Sequence, residues 1–277
     1  MGRISIVTDS TADLSPQQIK NNDINVVPLK IYFGEEEFRE GIDIVPERFY
    51  EKLLTSPHHP RTSQPSPAEF VACYERLSCS SDRIISIHLS SKLSGTYQSA
   101  ALAKEMVKIP VDVIDSRGAS MMIGFTVLEA AKAAKQGKDR ESILKIVDEM
   151  IKKVKAYFVV ETLDYLYKGG RIGRASAFLG NLLRIKPMLA IEDGIVTPVE
   201  KIRGKGKVVD KLVEKVSKDA ADRPLTGAVA YAGREEEAIM YKEVFEKNLN
   251  FRELTIYPIG AVIGTYTGPG TVGIVYY

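Results

Sequence analysis

Tryptophan is absent from the chain, cysteine occurs twice and histidine three times in 277 residues. Cys73 and Cys79 lie six positions apart, in or beside a predicted helix. That spacing fits neither a zinc motif nor a redox motif, so both are read as packing thiols of a reducing cytoplasm. His58 and His59 sit in the predicted loop SPHHPRTS, and His88 ends a predicted strand. There is no His-Glu-x-x-His or comparable ligand set, so no metal is expected. A run of ~18 apolar residues is also missing, which excludes a spanning helix. The opening MGRISIVTDS goes straight into a strand-like run, so no signal peptide is expected, and Ile6 stands where a myristoylation pattern needs Ser or Thr. A net charge of +2 is too small to argue for nucleic acid.

What is present is 44% hydrophobic and 27% charged residues, the composition of a soluble globular protein with a sizeable core. The length allows one large domain or two ordinary ones. ISIV (Ile4–Val7), RIISIHL and VDVID read as buried strands. SPQQ at Ser15 and SPAE at Ser66 read as capping boxes that open helices. A helix at GTYQSAALAKEMV and two more between about Ala119 and Lys155 complete an alternation of strand and helix. That pattern argues for a parallel sheet flanked by helices. Beyond Lys155 the pattern changes. Asp193-Gly194 joins two strands as a hairpin, and further helices and strands follow, which suggests a mixed sheet with helices. The expected organisation is therefore α/β, with one domain over residues 1–155 and a second over 156–277.

Ligands of open parallel sheets bind beyond the carboxyl ends of the strands. Three such ends are rich in hydroxyls: TDST (Thr8–Thr11), SSKLSGT (Ser90–Thr96) and DSRGAS (Asp115–Ser120). Plain helix capping accounts for any one of them, and a hydroxyl-lined crevice accounts for the three together. Ser94 is read as the N-cap of the helix that follows, with the amides of Gly95 and Thr96 turned to the same point, a ready anion site. No histidine lies near Ser94 in sequence and there is no G-x-S-x-G elbow, so a serine nucleophile lacks support. Thr62 and Ser63 add a second hydroxyl pair in the proline-stiffened PRTSQPSP, which also reads as a connector.

Residues 165–207 carry nine cations: Lys168, Arg171, Arg174, Arg184, Lys186, Lys201, Arg203, Lys205 and Lys207. Against them stand Glu192, Asp193 and Glu200. This +6 stretch reads either as a solvated surface or as a face for an acidic or phosphate-bearing partner. Arg171, after two glycines, and Arg203, closing a strand, are expected to be fixed in place. Gly268-Pro269-Gly270-Thr271-Val272-Gly273 matches G-x-G-x-x-G. A dinucleotide site, however, needs a helix after it and an acid about 20 residues on. Only Ile274–Tyr277 follow, so the nucleotide reading fails.

Taken together, IVTDSTADL, RTSQPSPAEF, SSKLSGTYQSA, VIDSRGAS, LDYLYKGGRIG and GTYTGPGTVGIVYY resemble the DegV family from Ile4 to the C-terminus. The resemblance implies two α/β domains with a long-chain fatty acid in a buried tunnel between them. It also implies a role as the non-catalytic, fatty-acid-binding subunit of a bacterial fatty acid kinase. A separate kinase subunit would phosphorylate the carboxylate for phospholipid synthesis, and no cofactor is implied beyond the bound acid. By the same resemblance Ser94 and Gly95 bind the carboxylate with Thr62 beside them and Tyr266 at a contacting position, while Arg171 and Arg203 face the carboxylate surroundings or the kinase. Ser63, Thr96 and Thr267 are added as carboxylate contacts from their places next to these residues. Tyr266 departs from the family pattern, which often has His there. The glycines around it are read as a tight loop. The readings left beside the carrier are a Ser94-dependent acyl hydrolase or transferase using Asp9 or Asp115, and a fatty-acid-sensing regulator.

Overall fold

The structure, a computed structural model, describes residues 2–179, 185–221 and 223–277. The chain begins β1 (Ile4–Asp9), α1 (Pro16–Asn21), β2 (Ile24–Val27), β3 (Lys30–Phe33), β4 (Glu36–Arg39) and α2 (Pro46–Thr55). It continues with β5 (Arg61–Ser63), α3 (Pro67–Ser78), β6 (Arg83–His88), α4 (Thr96–Lys104), β7 (Val111–Asp115), α5 (Met121–Lys135) and α6 (Arg140–Lys153). The later elements are β8 (Lys155–Val159), α7 (Asp164–Lys168), β9 (Ile185–Glu192), β10 (Ile195–Arg203), α8 (Val208–Ala220), β11 (Leu225–Tyr231), α9 (Glu235–Asn248), β12 (Phe251–Pro258), α10 (Ala261–Thr267) and β13 (Val272–Tyr276).

Two compact units result. One comprises Met1–Val45 with His58–Val154, the other Pro46–Pro57 with Lys155–Tyr277. The sequence reading assigns no element to Pro46–Thr55, and a single cut at Lys155 leaves that stretch with the first domain. It is a helix grouped with the second unit. Its buried faces are Phe49 and Tyr50, and the Tyr50 hydroxyl donates to the Ile259 carbonyl at 3.1 Å.

In the first unit β2-β1-β6-β7 form a parallel sheet, with Ile6 registered between Ile24 and Ile85. Strands of such a sheet are covered on both faces, which is why Ile4–Val7 and Arg83–Leu89 read as continuous apolar runs rather than alternating ones. Helices α3 and α4 bury Phe70, Tyr74, Ala100 and Ala103 against Val7, Ile84 and Val111 of the sheet. Both capping boxes are formed: Ser15 accepts from Gln18 N–H, Ser66 accepts from Glu69 N–H, and each partner side chain returns to the cap amide. A separate antiparallel sheet, β4-β3-β5, holds Thr62 opposite Ile31 and Ser63 opposite Lys30. Arg61–Ser63 is thus a short edge strand rather than a loop.

The second unit holds β10-β9-β8-β13-β11-β12, antiparallel except for the β11–β12 pair. Asp193 (φ 51°) and Gly194 (φ 78°) make the β9–β10 hairpin with two left-handed residues. Helices α8 and α9 place Leu212, Val216 and Phe245 on Met188, Val229 and Ile274. The fold is therefore two α/β units, a parallel sheet followed by a mixed one, each carrying helices.

Cys73 is partly buried against the first core, where burial pushes its thiol up from the ordinary value. Cys79 is exposed at the end of α3, so it is not a packing thiol. Among the described residues no helix is long and apolar enough to cross a membrane, and no group of His, Cys, Asp and Glu is placed to hold a metal ion.

Candidate functional site

In the first unit the three hydroxyl-rich strand ends are tied together by carboxylates. Asp9, the last residue of β1, accepts from Thr11 N–H (3.1 Å) and the Thr11 hydroxyl (2.5 Å) through Oδ1. Its Oδ2 accepts from Leu89 N–H and meets His88 Nδ1, both at 3.0 Å. Asp115, ending β7, accepts from the Ser91 hydroxyl (2.5 Å), Ser91 N–H (3.3 Å) and Arg117 N–H (2.8 Å). Ser120 donates to Asp13 at 2.5 Å, and Ser90 N–H donates to the Gly118 carbonyl at 3.0 Å. The segment from Leu89 to Gly95 is therefore anchored from the strands on both sides of β6.

Ser94 lies one residue ahead of the position expected for it. The N-cap of α4 is Gly95, and the Ser94 Oγ accepts instead from Thr96 N–H at 3.3 Å and lies 2.9 Å from the Thr96 hydroxyl. Thr96 is fully buried, and its amide is turned onto Ser94 rather than left open. The Gly95 N–H has no partner among the described residues. A Cβ on Gly95 would meet the Gln64 side-chain amide, so glycine lets that amide rest on the start of α4, and a larger residue would turn the flexible Gln64 side chain aside. Gln64 also reaches Ser99 at 3.5 Å. The sequence reading did not single out Gln64; its only signal is a lone amide side chain in TSQPS, facing a glycine that follows Ser94.

The two acids proposed as partners for a Ser94 nucleophile are otherwise engaged. Both oxygens of Asp9 are taken by four donors, and Asp115 serves Ser91 and Arg117. Neither serves Ser94, so a general base for that hydroxyl is missing from both named positions.

In the second unit the GTYTGPG stretch is not a tight loop. Residues 264–267 are the last turn of α10, and the chain bends only at Gly268 (φ 75°) and Gly270 (φ 72°). Thr265, Thr267 and Thr271 donate to the carbonyls of Ala261, Ile263 and Thr267. Thr267 thus spends its hydroxyl hydrogen within the helix instead of offering it to a carboxylate. A Cβ on Gly169 would strike the Tyr266 ring, and one on Gly268 would strike the Tyr165 ring. The two glycine motifs, KGGRI and GTYTGPG, fit together through these contacts. Arg171 is held there: it donates to the Gly169 carbonyl at 2.8 Å, and its guanidinium carbon lies 5.0 Å from the Tyr266 ring centroid. Arg203, expected to be fixed as well, is held by its backbone at the end of β10, but its exposed side chain makes no hydrogen bond or ion pair among the described residues.

The basic stretch is partly neutralised, by acids outside it (Glu161, Glu237) and by one within it (Asp193). Lys186 pairs with Glu161, Lys205 with Glu237 (3.4 Å) and Arg174 with Asp193 (3.7 Å). Lys201 lies over Phe178 at 5.0 Å. Arg184 falls outside the described residues.

The family model described as an uncharacterised protein of the DegV family matches residues 3–277. The chain belongs to the DegV family. Protein DegV of Bacillus subtilis is 42% identical over 276 residues, spanning 98% of each chain. A Thermus thermophilus DegV-family structure, described as fatty acid binding, superposes with a TM-score of 0.93 at 34% identity, covering 99% of each chain. A stearic-acid-binding protein of Eubacterium ventriosum superposes at 0.92 with 25% identity, covering 99% of this chain and 97% of that one.

Proposed function

We propose that the chain binds a long-chain fatty acid and presents its carboxylate to a separate kinase subunit, itself supplying no catalysis. The observation that carries the binding step is the junction of Gln64 with Gly95 beside Ser94. Ser94 Oγ accepts from Thr96 N–H and shares one hydrogen bond with the Thr96 hydroxyl, so one hydrogen of that hydroxyl pair is left for a ligand oxygen, and the Gly95 N–H is a second donor. Two donors at the start of a helix suit a carboxylate, and Thr62 and Ser63 enter on the strand that delivers Gln64. Full-length likeness to structures described as fatty acid binding supports the same ligand class. A tail of about 14 methylenes gains up to about 11 kcal/mol on burial, before the cost of immobilisation, so the acid would survive purification.

Arg171, held over Tyr266, and the unengaged Arg203 are assigned to the surface that meets the kinase or its phosphate. In this reading the phosphoryl group comes from the partner's nucleotide. The glycines of the C-terminal motif are occupied by packing.

Extraction of lipid from the purified protein, identified by mass spectrometry, tests the binding step. A stoichiometric long-chain acid is expected, with Ser94→Ala weakening uptake of added hexadecanoate about tenfold. Repeated recovery of protein without an acyl chain, and without uptake, overturns the reading. Acyl phosphate formation with a fatty acid kinase subunit and ATP tests the presentation step.

A further inference from the structure

Beneath the Ser94 segment lies a set of residues with the makings of a catalytic triad. Ser86 Oγ is 2.6 Å from His88 Nε2, and His88 Nδ1 is 3.0 Å from Asp9 Oδ2. All three side chains are fully buried, Ser86 lies within a central strand, and its oxygen accepts from the Tyr74 hydroxyl at 2.9 Å. A serine so placed cannot meet a substrate. Tyr74 uses its hydrogen on Ser86, Ser86 then has one hydrogen for Nε2, and His88 has the Nδ1 proton for Asp9. Each hydrogen is used once and the chain ends on a carboxylate.

That carboxylate also accepts the amide of Leu89, the first residue beyond β6. From Leu89 the chain passes to Ser90, whose carbonyl accepts from Ser94 N–H at 3.1 Å. We infer that Asp9 and His88 are positioning residues: they hold Leu89, and through it Ser94 and Gly95, in the arrangement that receives a carboxylate. His88 supplies the fourth donor to a fully buried acid, and the ring is fixed in turn by Ser86 and by an edge contact with Phe70 at 5.0 Å. The inference rests on the fatty-acid reading for its ligand, but not for its structural content.

Two measurements separate these. Amide hydrogen exchange is read on ligand-free protein. Asp9→Asn puts an NH2 group or a poorer acceptor against Leu89 N–H and His88, so exchange in 89–96 rises at least tenfold while Val7 and Ile85 stay protected. His88→Gln, which keeps a group near Nε2 but withdraws the donor from Asp9, shows the same pattern more weakly. His88→Asn, whose amide can occupy the Nδ1 place, restores protection. Binding is then read with hexadecanoate against hexadecanol. The acid-to-alcohol preference falls about tenfold in Asp9→Asn and His88→Gln, returns in His88→Asn, and alcohol affinity does not move. Unchanged exchange in 89–96, or equal loss of both ligands, overturns the inference. Wild-type protein that takes up neither ligand overturns the fatty-acid reading alone, and the exchange result still decides the role of Asp9 and His88.

Discussion

Arg171 lies over the ring of Tyr266, 5.0 Å from its centroid, and the edge of that ring packs on Gly169. The contact joins two glycine-bearing stretches nearly 100 positions apart. It also makes position 266 a test of what the aromatic ring does there.

Tyr266→Phe keeps the ring and its cation contact and should cost less stability than Tyr266→Ala. Tyr266→Ala should cost about 1–2 kcal/mol by emptying the space over Gly169. Tyr266→His restores the residue that the family pattern often carries, but beside a permanent guanidinium. Like charge lowers the folded-state pKa of that imidazole, so the unfolded chain binds the proton more readily. The stability deficit of Tyr266→His should therefore be small at pH 8 and grow as pH falls through about 6.5. Melting curves across pH 5–8 check the sign, and a deficit that shrinks toward acid contradicts it.

Gly95→Ala drives a methyl into the Gln64 amide. Displacing the end of this flexible side chain should cost less than about 1 kcal/mol in stability but, by moving the Gln64 amide off the helix start, weaken hexadecanoate binding. Gly95→Ala with Gln64→Ala removes the obstacle and should recover most of the stability but not the affinity. Chemical denaturation with ligand titration on the same samples separates the two effects.

Gly268→Ala meets both a positive φ and the Tyr165 ring. A loss above about 1 kcal/mol is expected. Gly268→Ala combined with Tyr165→Ala removes the ring contact and leaves the backbone cost, which is high because φ 75° with ψ 173° is a glycine-only region. If Gly268→Ala costs the same in the wild-type and Tyr165→Ala backgrounds of a double-mutant cycle, the Tyr165 contact contributes nothing.

Asp219 of α8 accepts from the hydroxyls of Tyr157 (2.5 Å) and Tyr276 (3.1 Å) and from Lys155 (3.0 Å). Burial opposes its ionisation, but the hydrogen bonds of Tyr157 and Lys155 and the charge of Lys155 prevail and hold the carboxyl below its ordinary value. A depressed acid contributes stability above its unfolded pKa, and that contribution is lost as pH falls through the folded one. Asp219→Asn should be about 1–3 kcal/mol less stable at pH 7, with the gap closing below about pH 4. Urea midpoints at pH 7, 5 and 3 test this, and a constant gap refutes it.

Local signals in the sequence led to the right places. Ser15 with Gln18 and Ser66 with Glu69 announce helix starts because the capping bonds span three residues. Asp193-Gly194 announces its hairpin because two left-handed residues suffice to make one. Contacts between distant stretches left no such trace. Asp9 and His88 are 79 positions apart, so nothing in either neighbourhood pairs them. Residues 264–267 hold a glycine and two threonines, poor helix formers, yet they are helical because Gly264 admits Tyr50 and Phe49 at contact distance. The same dependence hid α2, whose buried face packs on α10 and on Gly233 and Ile259, all far along the chain.

Helix α2 has a consequence for the order of events on the ribosome. Tyr50 and its acceptor Ile259 are separated by 209 positions. At about 5–20 residues per second, roughly 10–40 s pass between the synthesis of one and the other. Throughout that interval Phe49 and Tyr50 have emerged without the surface that will cover them, which makes the nascent chain at Pro46–Pro57 a natural ligand for chaperones that recognise short aromatic segments.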